Sequence, residues 1–281
     1  MELFLDIFME ALLDSLKLLP FLFLAYLLME ATEHHASGTM ESSLRKMGKT
    51  GPLVGALLGC VPQCGFSASA SNLYAAGLIT RGTLLAVFLS TSDEALPLMI
   101  GSPEGRRMIA PLLLWKIVIA LLAGFAVDLI LRKWGKPREL YDLCENCGCE
   151  EEGGGILKPA LWHTTHILLY IFLVNLLLGG AVELLGSARI STILLNGSIL
   201  QPFAAALIGL IPNCAASVML TQLYLSGTLS FGSMLAGLCS GAGIGIAVLL
   251  RMNHSKRENL QIILTLYLIA AFTGVILQAI L

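Results

Sequence analysis

Apolar residues in this chain fall into long runs divided by short polar stretches, and each long run is a candidate membrane helix, since crossing about 30 Å of hydrocarbon takes about 20 helical residues. The pattern predicts a first span over 15–33, then a polar stretch over 34–49. An apolar segment follows over 52–79, interrupted at Val61-Pro62-Gln63-Cys64-Gly65. Proline removes a helical hydrogen bond and glycine permits a turn, so the centre reads as a break between two arms of about 14 residues, roughly 21 Å each. That length fits a re-entrant hairpin. The next span, 82–100, is interrupted at Ser90-Thr91-Ser92-Asp93-Glu94, and 110–131 reads as continuous. After a polar segment the series returns: 167–183, a hairpin over 202–229 broken at Pro212-Asn213-Cys214, a span over 232–250 broken at Gly241-Ala242-Gly243, and 260–281.

The two series are in register at an offset of 150 residues without a gap. Pro52, Ala56, Leu57, Gly59, Pro62, Cys64 and Ser67 return as Pro202, Ala206, Leu207, Gly209, Pro212, Cys214 and Ser217. Leu73, Tyr74, Gly77, Gly82, Leu85, Ala86 and Ser90 return as Leu223, Tyr224, Gly227, Gly232, Leu235, Ala236 and Ser240. The expected organisation is repeat one over 1–131, a Cys/Glu-rich linker over 132–157 and repeat two over 158–281. Each repeat has three full spans plus one hairpin, an odd number, so the second copy is expected upside down relative to the first. The fold class is therefore an all-α integral membrane protein of two inverted-topology repeats with discontinuous helices at a central site, as in secondary transporters.

Composition agrees: 56% of residues are hydrophobic and 13% charged, about half the charged share of an average soluble domain. Positive charge tests the topology separately, because lysine and arginine accumulate in short cytoplasmic loops. Arg45, Lys46, Lys49, Arg81, Arg132, Lys133, Lys136, Arg138, Lys158, Arg251, Lys256 and Arg257 fall on one side, against Arg106, Arg107 and Arg189 on the other. Both termini are then outside, with the 132–157 loop cytoplasmic, in a prokaryotic inner membrane. Hairpins that crossed fully as two helices would make ten spans with the same orientation. Lys17 and Lys116 fall within spans. The acids Glu2, Asp6 and Glu10 stand where a signal peptide carries positive charge. A net charge of −2 gives no support to a nucleic-acid partner.

Helix breaks in a bilayer are tolerated where the freed backbone groups are buried in protein or line a wet cavity. Four breaks at matched positions point to one cavity near the midplane, with Pro62, Pro212, Gly241 and Gly243 as the breaking residues. The candidate substrate contacts are Gln63, Cys64, Asn213, Cys214, Ser90, Ser92, Asp93, Glu94 and Ser240. The alternative for the two amides is that they satisfy loose backbone groups at the hairpin tips. Asp93 and Glu94 break the repeat, since Gly243 and Ile244 stand 150 residues on. Ionisable residues inside a span are costly and mark ion or proton pathways, so these two are candidates for a cation ligand or a coupling-proton carrier, or for a helix cap. Asp128 is expected at the solvated inner end of its span. Cys144, Cys147 and Cys149, followed by Glu150, Glu151 and Glu152, suit a soft ion held by thiolates in the linker. His34, His35, His163 and His166, at the ends of equivalent first helices, are candidate metal ligands. Cys60 and Cys239 read as small buried hydrophobes.

The segment Gly59-Cys60-Val61-Pro62-Gln63-Cys64-Gly65-Phe66-Ser67 with its partner Gly209-Leu210-Ile211-Pro212-Asn213-Cys214 resembles the ten-span heavy-metal exporters, a family tied to arsenic efflux and also described as manganese transporters. It is similar, more distantly, to permeases with a Pro-x-Cys-x-Cys-Gly motif that export organoarsenicals; Phe66 stands in place of that motif's second cysteine. The resemblance implies a non-enzymatic secondary transporter. With no Walker loop in the sequence, the expected function is export of a metal or metalloid ion from the cytosol by proton antiport, without a required cofactor. Two other readings stay open at this point. One is a membrane thiol-disulfide electron carrier using Cys64 and Cys214, and the other an importer of a small sulfur-containing anion.

Overall fold

A computed structural model describes residues 8–9, 11–13, 15–16, 19–20, 22–24, 26–27, 50–92, 95–134, 157–185 and 198–280. Every regular element among them is a helix: α1 Gly51–Gly59, α2 Gly65–Ala75, α3 Arg81–Ser90, α4 Ala95–Ile100, α5 Pro103–Trp134, α6 Leu157–Leu185, α7 Gln201–Gly209, α8 Cys214–Leu225, α9 Phe231–Ser240, α10 Ile244–Met252 and α11 Lys256–Ile280. The described residues between 8 and 27 are helical as well. Four segments are long and apolar enough to cross a membrane: Arg81–Ile100, Pro103–Leu131, Phe231–Met252 and Lys256–Ile280. The paired arms α1/α2 and α7/α8 have 9, 11, 9 and 12 residues. They are shorter than the expected 14, about 14–18 Å each, and none reaches across alone.

The shortening has a local cause. Gly77 and Gly227 take positive φ of 79° and 76°. Their N–H groups bond to Tyr74 O and Tyr224 O, while Leu78 N and Thr228 N reach back to Leu73 O and Leu223 O. That is the double bond of a glycine-closed helix end, and it explains why Leu-Tyr-x-x-Gly occurs twice. Thr80 and Ser230 then cap α3 and α9, accepting from Thr83 N and Ser233 N at 3.1 Å.

Packing follows the same offset. Helix α3 packs between α1 and α5, and α9 packs between α7 and α11. A methyl group on Gly124 would meet Gly82 O at 2.9 Å and Pro52; one on Gly274 would meet Gly232 O at 2.7 Å and Pro202. Small residues at these crossings let backbones touch, the usual solution where lipid supplies no hydrophobic drive between helices. The two sets then meet through α2 on α10, α4 on α8, and α3 on both α9 and α11.

Polar contacts fix which ends lie together. Asp128, near the C-terminal end of α5, accepts from Gly82 N at 2.8 Å and Thr80 Oγ1 at 2.6 Å. It is half-buried rather than solvated as expected, because the close approach at Gly82 and Gly124 brings its carboxylate onto the donor end of α3, where a negative group is favoured. At that same end Glu258, from the start of α11, pairs with Arg81 at 3.0 Å and accepts from Tyr74 Oη at 2.6 Å. Toward the far end of α11, about 30 Å along the helix from Glu258, Gln278 accepts from Ser233 and Gln201 bonds Ser230 N and Ser233. The N-terminal ends of α3 and α9 therefore lie at opposite ends of α11.

Valine in place of Gly124 or of Gly274 is expected to cost about 1–3 kcal/mol by overpacking, read as a several-degree fall in the melting temperature of purified protein. Comparable falls at both positions are the expected result, and an unchanged melting temperature at either contradicts the packing described.

Candidate functional site

The two hairpin tips turn alike. Gln63 N bonds Val61 O and Asn213 N bonds Ile211 O, both at 2.7 Å, on the far side of a proline with no N–H to contribute. Ser67 Oγ donates to Cys64 O and Ser217 Oγ to Cys214 O, both at 2.8 Å. The amides then diverge. Asn213 Oδ1 accepts from Ala215 N at 2.8 Å and caps α8, whereas α2 begins at its tip without a side-chain cap. The backbone-satisfying role weighed for both amides thus describes the Asn213 oxygen. Cys64 and Cys214 are half-buried and neither is in a disulfide. The tips sit in different packing neighbourhoods: Cys64 packs on the buried cluster that includes Tyr26, Ala68 and Ile244, while Leu210 and Ile211 pack on the larger cluster around α3 and α9.

The serines at the inner ends of α3 and α9 are fully buried. Ser90 Oγ donates to Ala86 O and Val87 O within its own helix. Ser240 Oγ donates across to Ala206 O of α7 at 2.7 Å and to Gly237 O. A methyl group on Gly59 or Gly209 would strike Ser90 Oγ or Ser240 Oγ, so each hairpin arm ends in contact with a broken-helix end. Ser92 Oγ donates to Ser90 O at 3.1 Å. Gly241 and Ala242 separate α9 from α10, and Gly243, with φ of 50°, opens α10 in a conformation that a side chain would strain.

Between these ends lies a residue that the sequence reading passed over as merely within a span. Lys116, from the middle of α5, is 0% exposed. Its ammonium donates to Thr91 O, just beyond α3, and to Leu238 O, in the last turn of α9, at 2.9 Å. One side chain thus joins the C-terminal ends of both helices. The signal was present: a lone cation in an apolar span, with leucine at position 266 where the repeat would place its partner. The ion pair of Arg81 with Glu258 was also missed, because its partners are far apart in sequence and come together only through packing.

Residues 164–281 match a family model described as "Putative, 10TM heavy-metal exporter". This is the family that the two proline-cysteine segments resemble. The matched stretch holds Pro212, Asn213 and Cys214 of the second tip, and the first tip lies outside it. Comparison with curated proteins and with solved structures returned no match. The description of that family, together with the helices of membrane length, suggests a heavy-metal exporter in a lipid bilayer.

Of the other candidates, His163 stacks on Tyr26 with ring centroids 5.5 Å apart, and His166 lies over Trp162 with Nδ1 3.1 Å from Trp162 O. Among the described residues no three His, Cys, Asp or Glu side chains gather to hold a metal. His34, His35, Asp93, Glu94, Cys144, Cys147 and Cys149 lie outside the described residues.

Ser240→Ala is expected to cost about 1–2 kcal/mol, because it strips a buried carbonyl on a neighbouring helix of its donor. Ser90→Ala should cost less, since its bonds stay within one helix. Chemical or thermal denaturation of the two variants side by side checks the order.

Proposed function

We propose that the protein exports a metal or metalloid ion from the cytosol through a midplane site between two inverted repeats, 1–131 and 158–281, in exchange for protons. The observation that carries this reading is the meeting of α3 and α9 at one ammonium: two helices at matched repeat positions end beside each other in the interior instead of at a membrane surface. Irregular backbone at that depth is tolerated where it is buried or lines a wet cavity, and paired broken helices at a repeat interface are where transporters bind cargo. The opposed directions of α3 and α9 along α11 support inversion. The heavy-metal description of the family matched over 164–281 supports the cargo class.

In this reading Gln63, Cys64, Asn213 and Cys214 reach cargo from the tips, with Ser90, Ser92 and Ser240 at the helix ends. Asp93 and Glu94 supply negative charge: with Lys116 already contributing one positive charge, two carboxylates leave the centre with the net negative charge that a cation needs. Amide and carboxylate oxygens favour manganese, and thiols favour softer ions. The cysteine linker over 132–157 delivers or senses the ion on the cytosolic side of the inner membrane.

Alternating access has support as well. The α2–α10 seam is tight: Ser71 Oγ donates to Gly245 O at 2.7 Å, and a methyl group on Gly245 would press on Ser67 at 2.8 Å. Its counterpart helix α8 buries only Ala216, Met219, Leu220 and Thr221, against eight buried residues on α2. The end bearing Arg81 and Glu258, cytosolic by its positive charge, is closed in this state.

A deletion strain and an expressing strain grown across a panel of metals, with cytosolic metal measured, test the function. Sensitivity and raised cytosolic content of one metal on deletion are expected, and Cys64→Ser with Cys214→Ser should lower export of a soft ion by at least tenfold. Export unaffected by Asp93→Asn together with Glu94→Gln would remove the acids from the mechanism. Separately, Glu258→Gln should loosen the closed end. With Cys64 as the sole cysteine, modification by an impermeant thiol reagent from the Arg81 end should quicken about fivefold, the shift that about 1 kcal/mol produces.

A further inference from the structure

We propose that the Lys116 ammonium is the resident cation of a carbonyl site between the C-terminal ends of α3 and α9, filling the place that an alkali cation would otherwise take. The last carbonyls of a helix have no intrahelical partner and carry the negative end of its dipole. At α9 this is plain: the N–H that would close on Leu238 O belongs to Ala242, and it bonds Ser240 O instead. Leu238 O accepts from Lys116 in its stead, and the same ammonium donates to Thr91 O at the end of α3. Two helix C-termini aimed at one buried point form the kind of donor set that coordinates a sodium ion or a proton in transporters built from broken helices. Here the cation is covalently tethered to the middle of α5 by a four-carbon stem.

Nothing in the repeat demands it. Leu266, 150 residues on, is an ordinary buried leucine of the core. Among the described residues, the Cys60 thiol, at the end of α1, and the Cys239 thiol, on α9, are ionisable groups that feel the Lys116 charge. Both carbonyls come from main chain, so a neutral side chain at 116 removes the ammonium from both and leaves them in place. A short neutral side chain leaves room for an ion, while a long one fills the space. Within the transport reading, on which this last consequence rests, cargo export requires neither sodium nor potassium at the centre.

The test compares melting temperatures of purified wild type, Lys116→Ala and Lys116→Met in lithium, sodium, potassium and choline chloride at one ionic strength. Wild type should show no difference among the salts. Lys116→Ala should melt lower in choline and regain about 3–6 °C, saturably, with one alkali cation at about ten times its Kd. Lys116→Met should stay low in all four. A Lys116→Ala variant indifferent to the cation overturns the proposal, as does a saturable alkali-cation shift of similar size in wild type. Should Lys116→Ala fail to fold, wild-type proteoliposomes loaded with manganese chloride decide: flux should be unchanged when choline replaces all sodium and potassium, and a tenfold fall overturns the proposal. Absence of manganese flux in every medium would count against manganese as cargo while leaving the melting comparison standing.

Discussion

A backbone carbonyl or N–H in hydrocarbon has no water to turn to, so a helix that stops inside a membrane must find partners within the protein. That constraint organises this molecule. At the hairpin tips, proline removes a donor and a two-residue turn satisfies the next one. At the helix starts, Thr80, Ser230 and Asp128 accept from N–H groups of the first turns, Asp128 also accepts from the capping Thr80 hydroxyl, and Gln278 accepts from the Ser233 hydroxyl. At the inner ends, Ser90 and Ser240 cover carbonyls of the last turns, and Lys116 takes the two that remain at the centre. Buried polar side chains within helices, such as Ser71 of α2 and Thr221 of α8, donate to carbonyls one turn back, and Lys116 reaches from the middle of α5 to the ends of α3 and α9.

Matched positions do matched work where the task is to bring helices close. Gly82 with Gly124 and Gly232 with Gly274 permit equivalent crossings, and Gly59 and Gly209 seat equivalent serines. Matched positions differ where the two ends of the molecule need different properties. Arg81 and Glu258 form an ion pair, while Phe231 and Met108, at the corresponding positions of the other copy, are apolar and pack on the main core. Lys116 against Leu266 is the same kind of difference at the centre. These departures give the two ends of the molecule different contacts, an ion pair at one and apolar packing at the other.

Much of the architecture was legible in the chain because membrane helices are written in long apolar runs and their breaks in proline and glycine. The 150-residue register, the tip positions, the breaks after Ser90 and Ser240 and the family resemblance all follow from local composition and spacing. Arm lengths were overestimated, because the glycine-closed ends at Gly77 and Gly227 use residues that the hydropathy pattern assigns to helix. Asp128 was misjudged for a related reason: distance from the apolar run says nothing of which helix end lies beside it.

By itself the sequence determined that this chain is helical, belongs in a bilayer and is written twice, since hydrophobic periodicity and repetition are one-dimensional properties. Only the tertiary structure decided that Lys116 lies at the junction of α3 and α9, that Glu258 closes on Arg81, and that Asn213 spends its oxygen on a cap. Those facts depend on which carbonyls are left without an intrahelical partner and which helices pack beside them. The contacts of Lys116 with Leu238 and of Arg81 with Glu258 join residues more than a hundred positions apart, whereas the Asn213 cap is made within its own turn.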